Sequence, residues 1–415
     1  MLVMKDSERA TSAPPTNRVT PSWVGIPLLL AIPLLLAIGC QVASAGLPPW
    51  RPLVKIGLAL PFAGHDASTA YNVLLATKLA VKEWNDRGGI DGHRIELVAV
   101  NDEADPQVAE YQARELIGDP AILGVIGHLH SDTALAAAPE YRRASMALLT
   151  LNATANSLTD SGYPVVMRMS ASDVGVASAV QRALKVIRES PLTDVRRAAV
   201  ITYPTIGHRA QAEAFVQSAQ AAGVEIVRVI EIAPESRDFA DLTETLGSDG
   251  VDLLFCSGPF KAAGLLADYV GRGLPDVTFL AGSEADSPDF VRLIDAAPAR
   301  LMYASASTFG GTQAELSFDR RYLQAVGSAP HPYSRLAYDA VHILCLSAER
   351  ALKEHGELTR ARVVAELRHN HRYDGASGTV DFDERGERVG ATGVVRIVLD
   401  KRYPGEIFSQ TTPEG

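Results

Sequence analysis

Ile122-Leu123-Gly124-Val125-Ile126-Gly127-His128-Leu129-His130-Ser131-Asp132-Thr133 is the stretch on which the reading of this chain turns. An apolar run short enough for a strand buried on both faces stops at a glycine. It then opens into small polar residues before Ala134-Leu135-Ala136-Ala137-Ala138, which continue with strong helix formers. Strand, loop and helix start follow in that order. Ser131, Asp132 and Thr133 therefore sit where unpaired backbone N–H groups and the positive end of a helix dipole point outward. There they serve either as ordinary helix caps or as a ligand cradle. In open α/β sheets such a loop lies outside the carboxyl end of a strand, where ligands bind.

A parallel stretch follows. Ala147-Leu148-Leu149-Thr150-Leu151 is again short and apolar, and it ends in Asn152-Ala153-Thr154-Ala155-Asn156-Ser157-Leu158-Thr159. Two successive strand ends carrying polar loops favour a site over a pair of caps. Upstream, Val54 to Leu60 reads as the first strand and the small polar residues His65 to Tyr71 as a loop. A helix then carries Leu74, Leu75, Ala80, Val81 and Trp84, and Gly88-Gly89 stops it. Ile95 to Val100 is a second strand. Asp105 and Pro106 supply the N-cap and first position of the next helix, which runs to Ile117.

Past Val165-Val166-Met167-Arg168-Met169 the alternation starts again. Helices are expected at 174–188, 211–222, 239–246 and 261–270, with strands at 198–202, 225–230, 251–255 and 277–280. Strand alternating with helix at this spacing predicts an α/β fold with doubly wound parallel sheets, and the grammar runs twice.

A chain of 415 residues exceeds what one core usually supports, so two domains are expected. A net charge of −10 and no Lys/Arg cluster with interleaved aromatics argue against a nucleic-acid surface. Trp23 to Gly39 runs without a charge, interrupted by Pro27 and Pro33, and suits the apolar region of a secretory signal better than a membrane span. It ends in Leu36-Ala37-Ile38-Gly39-Cys40, which resembles the bacterial lipobox. Residues 1–39 are thus expected to be a signal peptide of lipoprotein type, Cys40 the lipidation site, and 40–52 a tether. An uncleaved anchor, or a cut near Ala43-Ser44-Ala45, is the alternative. Either way the body is exported. Cys256 and Cys345 lie in apolar runs and are expected to be buried free thiols.

Lys55-Ile56-Gly57-Leu58, Ala80 to Asn85, Gly88-Gly89-Ile90-Asp91-Gly92, Asn101-Asp102 and Ile126-Gly127-His128 follow one another in a familiar order. So do Asn152-Ala153-Thr154, Arg168 with Asp173, Ala337 to Val341, Tyr373 to Gly378, and Phe382-Asp383. The ordered set resembles the leucine/isoleucine/valine-binding proteins, type I periplasmic solute-binding proteins of ABC importers, over almost the whole exported chain. The resemblance implies two α/β lobes joined by a three-strand hinge, closing on a ligand. It divides the chain into lobe 1 at 53–172 plus 304–373 and lobe 2 at 173–303 plus 374–415, with crossings near Ser170, Ala304 and Gly378. Implied partners are a small-molecule ligand of amino-acid type, an ABC-transporter permease and a membrane reached through the lipid anchor. No cofactor, metal or nucleic acid is expected.

The resemblance also implies site residues. Ser131 falls on the family's carboxylate-binding serine, Asn152 and Thr154 on its second binding loop, and Glu284 on the acid that completes the ammonium site. A zwitterion needs donors at one end and an anion at the other. Departures bear on the ligand. Ile206 precedes Gly207 where an aromatic is common, with Tyr203 a nearby substitute. Phe260, in Gly258-Pro259-Phe260, replaces a frequent tyrosine. Asp132 stands where a serine is frequent, and its carboxylate repels a ligand carboxylate unless it points away or caps a helix. His130 stands where some members carry a disulfide cysteine.

An enzyme built on Ser131 with His128 or His130 lacks a nucleophile elbow and is not expected, and the two histidines lack further metal ligands in sequence. A ligand-sensing receptor module for an amide, urea-like compound or small aromatic acid is the standing alternative. Transport is favoured because no membrane span or signalling domain is expected after the last strand.

Overall fold

Residues 52–189, 195–233, 235–307, 312–369 and 372–408 are described by the computed structural model; the expected signal peptide and Cys40 lie outside them. The first sheet is built from β1 (Leu53–Leu60), β2 (Arg94–Asn101), β3 (Ile122–Gly127), β4 (Ala147–Thr150) and β5 (Val166–Arg168). They lie side by side in the order β2-β1-β3-β4-β5, all parallel. Next in the chain come β6 (Arg197–Thr202), β7 (Glu225–Glu231), β8 (Leu253–Ser257), β9 (Thr278–Ala281) and β10 (Arg300–Ser305). These repeat the same parallel order as β7-β6-β8-β9-β10.

A hairpin of β11 (Tyr373–Gly375) and β12 (Gly378–Val380) follows. Last, β13 (Val394–Ile397) and β14 (Glu406–Ile407) add antiparallel strands beyond β10. In each sheet the strand order reverses once, between β1 and β3 and between β6 and β8. The crevice at the carboxyl ends there is the place such sheets offer a ligand.

Burial explains why the strands read as unbroken apolar runs. In the second sheet Ala199, Ile201, Leu254 and Cys256 pack into one core, while Ala198, Val200, Leu253 and Phe255 pack into another on the opposite face. Period-2 alternation therefore carries no polar signal. Phe215 stacks flat on Phe255 with centroids 4.2 Å apart. Cys256 and Cys345 are buried and free, and burial pushes the Cys256 thiol up to about 12.

Helix ends shift from the sequence reading for identifiable reasons. Asp105 caps the helix Pro106–Gly118 as expected, accepting from the amides of Gln107 at 2.7 Å and Val108 at 3.0 Å. The first helix, however, starts at Ala67 inside the expected loop. Thr69, Ala70, Val73, Ala76 and Ala80 form a buried small-residue stripe packed against the helix Pro332–His355. The helix expected from Gln211 starts five residues earlier, as Ile206–Ala221, because Thr205 caps it through Oγ1 to the His208 amide at 3.2 Å.

The expected return to the second lobe at Asp374, with a crossing near Gly378, comes later in the packing. Ala376, Val380 and Phe382 are buried in the core of the first sheet. Asp339 holds this turn, accepting from the amides of Ala376 (2.9 Å) and Ser377 (2.6 Å) and from the Ser377 hydroxyl (2.6 Å). The chain passes to the second sheet only between Arg388 and Gly393, beside the segments that follow β5 and β10. Arg388 ties the turn to the first of these by donating to the carbonyls of Met169 (2.9 Å) and Ser377 (2.6 Å).

Gly127, at the end of β3, has φ +120° and a backbone pressed on Ala59, so an added Cβ falls against the Ala59 carbonyl. Gly127→Ala should destabilise the protein by about 2 kcal/mol or more, measured by urea unfolding against wild type.

Candidate functional site

The ends of β1, β3, β4, β6 and β9 deliver polar loops to the crevice between the sheets. On the first sheet, β3 leads into the helix Ser131–Arg143 with His130 as N-cap, and no side chain caps that helix. Ser131 is instead buried, its Oγ accepting from the Ala155 amide of the neighbouring loop at 3.2 Å. This joins the ends of β3 and β4. The loop after β4 is shaped by Arg168, which is fully buried. Its guanidinium donates to the carbonyls of Ala153 and, at 2.8 Å, Ala155, and to Thr159 Oγ1 at 3.1 Å, and it pairs with Glu387 at 3.0 Å. Asn152 and Thr154 are buried on the loop so held, and Asn152 Oδ1 has no hydrogen-bond partner among the described residues. Burial pushes up the carboxyl of nearby Asp173, against the pull of Thr154 and Arg168.

On the second sheet, Tyr203 and the first turn of Ile206–Ala221 follow β6, and Glu284 follows β9 in the turn Ser283–Ala285. The Tyr203 ring packs on Gly258, where a Cβ would collide with it. Its hydroxyl is buried without a partner among the described residues, and burial raises its pKa, so it stays a neutral donor. Gly207 approaches Ser131 so closely that an added Cβ would lie 3.4 Å from Ser131 Oγ.

The two sets of loops meet through polar groups. The carboxylate of Asp132 accepts from the amides of Ile206 (3.1 Å) and Gly207 (3.0 Å), thus capping a helix of the opposite sheet. That resolves its expected conflict with a ligand carboxylate, because its charge is taken up by the positive end of that helix. Gln211 donates to Ser283 Oγ at 2.9 Å and reaches Thr154 Oγ1 at 3.5 Å. His130 lies between two acids, with Nε2 3.0 Å from Asp66 Oδ2 and Nδ1 3.1 Å from Glu284 Oε1. His208 Nε2 also stands 3.1 Å from Glu284 Oε1, but off-axis for a hydrogen bond. Burial opposes charge on Glu284, yet His208 and His130 outweigh it and hold the carboxyl well below its usual range.

Of the residues expected at the site, Ser131, Asp132, Asn152, Thr154, Tyr203 and Glu284 lie on these loops. Phe260 begins the helix Phe260–Gly273 and is buried in the same core of the second sheet as Tyr203, where an apolar ring is most stable. Sequence reading missed Asp66, His208 and Gln211, and gave His130 no role. Their signal was only positional, a polar side chain in the segment that follows a strand end.

His128 has separate duties, with Nδ1 2.7 Å from Asp102 and Nε2 3.3 Å from Tyr141, so it neither joins His130 on a metal nor approaches Ser131 as a base. Burial works against charge on Asp102, but His128 draws its carboxyl below the usual range.

Comparison with known proteins agrees with this architecture. The family model described as periplasmic binding protein matches residues 53–401. A Leu/Ile/Val-binding protein of Rhizobium johnstonii is 26% identical over 337 residues, covering 80% of this chain and 88% of that one. An ABC transporter substrate-binding protein of Desulfitobacterium hafniense, solved in complex with Leu, superposes with a TM-score of 0.70 at 25% identity, covering 86% of this chain and 100% of that one. A solute-binding protein of Rhodopseudomonas palustris, solved with benzoate, shares the fold with a TM-score of 0.74 at 18% identity, covering 86% of this chain and 95% of that one.

Asp132→Ala removes the cap that crosses the crevice. It should cost about 1 kcal/mol of the contact between the loops and raise the radius of gyration in small-angle scattering of the ligand-free protein.

Proposed function

This chain belongs to the periplasmic binding protein family, and we propose that it is the extracytoplasmic solute-binding protein of an ABC importer, taking a small amino acid of branched-chain type between two closing lobes. Members of the family bind solutes rather than catalyse reactions. The observation that carries the reading is convergence across the crevice. Ser131, Asn152 and Thr154 come from the ends of β3 and β4, and Tyr203 and Glu284 from the ends of β6 and β9. Donors on one side and a largely enclosed anion on the other fit the two ends of a zwitterion. In this reading Ser131 and the loop amides take the carboxylate, Glu284 takes the ammonium and Tyr203 lines the wall. The names of the relatives, for Leu, Ile and Val, supply the side-chain class.

The same reading gives Cys40 a lipid and makes the preceding residues a cleaved signal. The folded body then works tethered at the outer face of the membrane and hands its solute to a permease. Among the described residues no helix is long and apolar enough to cross a membrane. A second reading, an ammonium-free acid such as a small aromatic carboxylate, is favoured by one observation: Glu284 already has two imidazoles against it.

A thermal-shift screen of the protein from Gln41 onward, with leucine, isoleucine, valine, amides and benzoates, tests the proposal. A ligand at 100 times its dissociation constant adds about 2.7 kcal/mol of stability, which Ser131→Ala and Glu284→Ala should largely abolish for an amino acid. A shift with benzoates alone, retained in Glu284→Ala, would instead establish the second reading.

A further inference from the structure

His130 is engaged through both ring nitrogens by carboxylate oxygens, Asp66 at 3.0 Å and Glu284 at 3.1 Å. A neutral imidazole has one N–H and one lone pair, so a carboxylate at each nitrogen calls for a proton on each, which is the imidazolium. The ring is itself largely enclosed, its side chain 16% exposed, with Asp66 at 17% and Glu284 at 16%, so solvent screens these charges weakly. The chain of groups spans the crevice. Asp66 and His130 stand on either side of the switch point of the first sheet, and Glu284 belongs to the second.

Every charged or titratable group facing His130 has the same tendency or a known partner. Asp66 and Glu284 touch it, and Asp102 lies behind, bound to His128. His208 competes for Glu284 Oε1, Asp132 is spent on the amides of Ile206 and Gly207, and the Tyr333 hydroxyl donates to the Ser283 carbonyl at 3.2 Å. Burial disfavours the cation, but the charges of Asp66 and Glu284 prevail and hold the His130 pKa well above that of a free histidine.

We propose that protonated His130 is the cation that occupies Glu284 when no solute is bound, and that an amino acid's ammonium takes its place, so that binding releases the imidazole proton to the solvent. This inference rests on the reading that Glu284 receives the ammonium. The exchange balances: protonated protein plus zwitterion gives complex plus one proton, the ammonium keeping its own charge. Its sign follows from linkage. The ammonium lowers the His130 pKa, so the ligand-free form binds the extra proton and acid competes with solute. Affinity for an amino acid therefore falls as pH falls, by up to roughly tenfold per pH unit for one proton. An ammonium-free carboxylate has the opposite linkage, because it is drawn to the imidazolium and favours its protonated form. His130 thus selects solutes by charge and sets their release in acid.

Isothermal titration of the protein from Gln41 onward with leucine, in phosphate and in Tris at pH 7, counts the protons from the difference in heats. The expected result is release of up to one proton, absent in His130→Asn, with leucine affinity in that variant nearly independent of pH between 6 and 8. Retained binding by His130→Asn shows that it folds. Leucine binding with the same proton count in wild type and variant overturns the inference while leaving the amino-acid reading intact. If neither leucine, isoleucine nor valine binds, that reading fails and the exchange falls with it. Imidazole NMR of the ligand-free protein is an independent test: one proton on the His130 ring at pH 7 overturns the proposal and two support it.

Discussion

The buried guanidinium of Arg168 is the interaction on which the mouth of the first sheet depends. A cation taken wholly out of water is tolerable only if its donors are met, and here two loop carbonyls, a hydroxyl and one carboxylate meet them. The partners come from distant parts of the chain. Ala153, Ala155 and Thr159 belong to the loop after β4, whereas Glu387 belongs to the segment that carries the chain between the sheets for the last time. A single charge therefore fixes the loop that presents Asn152 and Thr154 and ties it to the crossing. Arg388, next to Glu387, anchors the same segment to Met169. The loop after β4 and the last crossing between the sheets are in this way set by neighbouring cations.

Contacts between the two sheets have a different character. Within each sheet the cores are aliphatic and aromatic, but the loops that meet across the crevice do so carboxylate to amide, imidazole to carboxylate, and amide to hydroxyl. Each such contact is worth on the order of 1 kcal/mol net, because water competes for both partners when they separate. Polar contacts of this kind hold the two sides of the crevice together only weakly. The differential binding of a solute then decides the equilibrium. Cores that bury whole apolar side chains on every element could not be opened and shut so readily.

Two departures from expectation have one cause. The resemblance puts Phe260 where a tyrosine is frequent at the site, and it puts a crossing near Gly378. In the fold Phe260 turns into a core of the second sheet, and the Gly378 turn is held on the first by Asp339 and by the burial of Val380 and Phe382. Position along the chain limits where a residue lies but not which way its side chain packs. Asp132 goes the other way. Its carboxylate reads as hostile to an anionic ligand, and the neutralising partner is the start of a helix 74 residues further on.

The sequence by itself determined the elements and their grammar, because periodicity, glycine stops and caps such as Asp105 act over a few residues. It also determined that β3 and β4 end in polar loops, and hence that Ser131, Asn152 and Thr154 stand at the crevice. Only the tertiary structure decided what those loops meet. His130 and Glu284 are 154 residues apart, and Arg168 and Glu387 are 219 apart. Nothing local specifies either pair. They exist because two sheets with the same strand order present their carboxyl ends to each other, and the buried charges brought together there must be neutralised by whatever the opposite side provides.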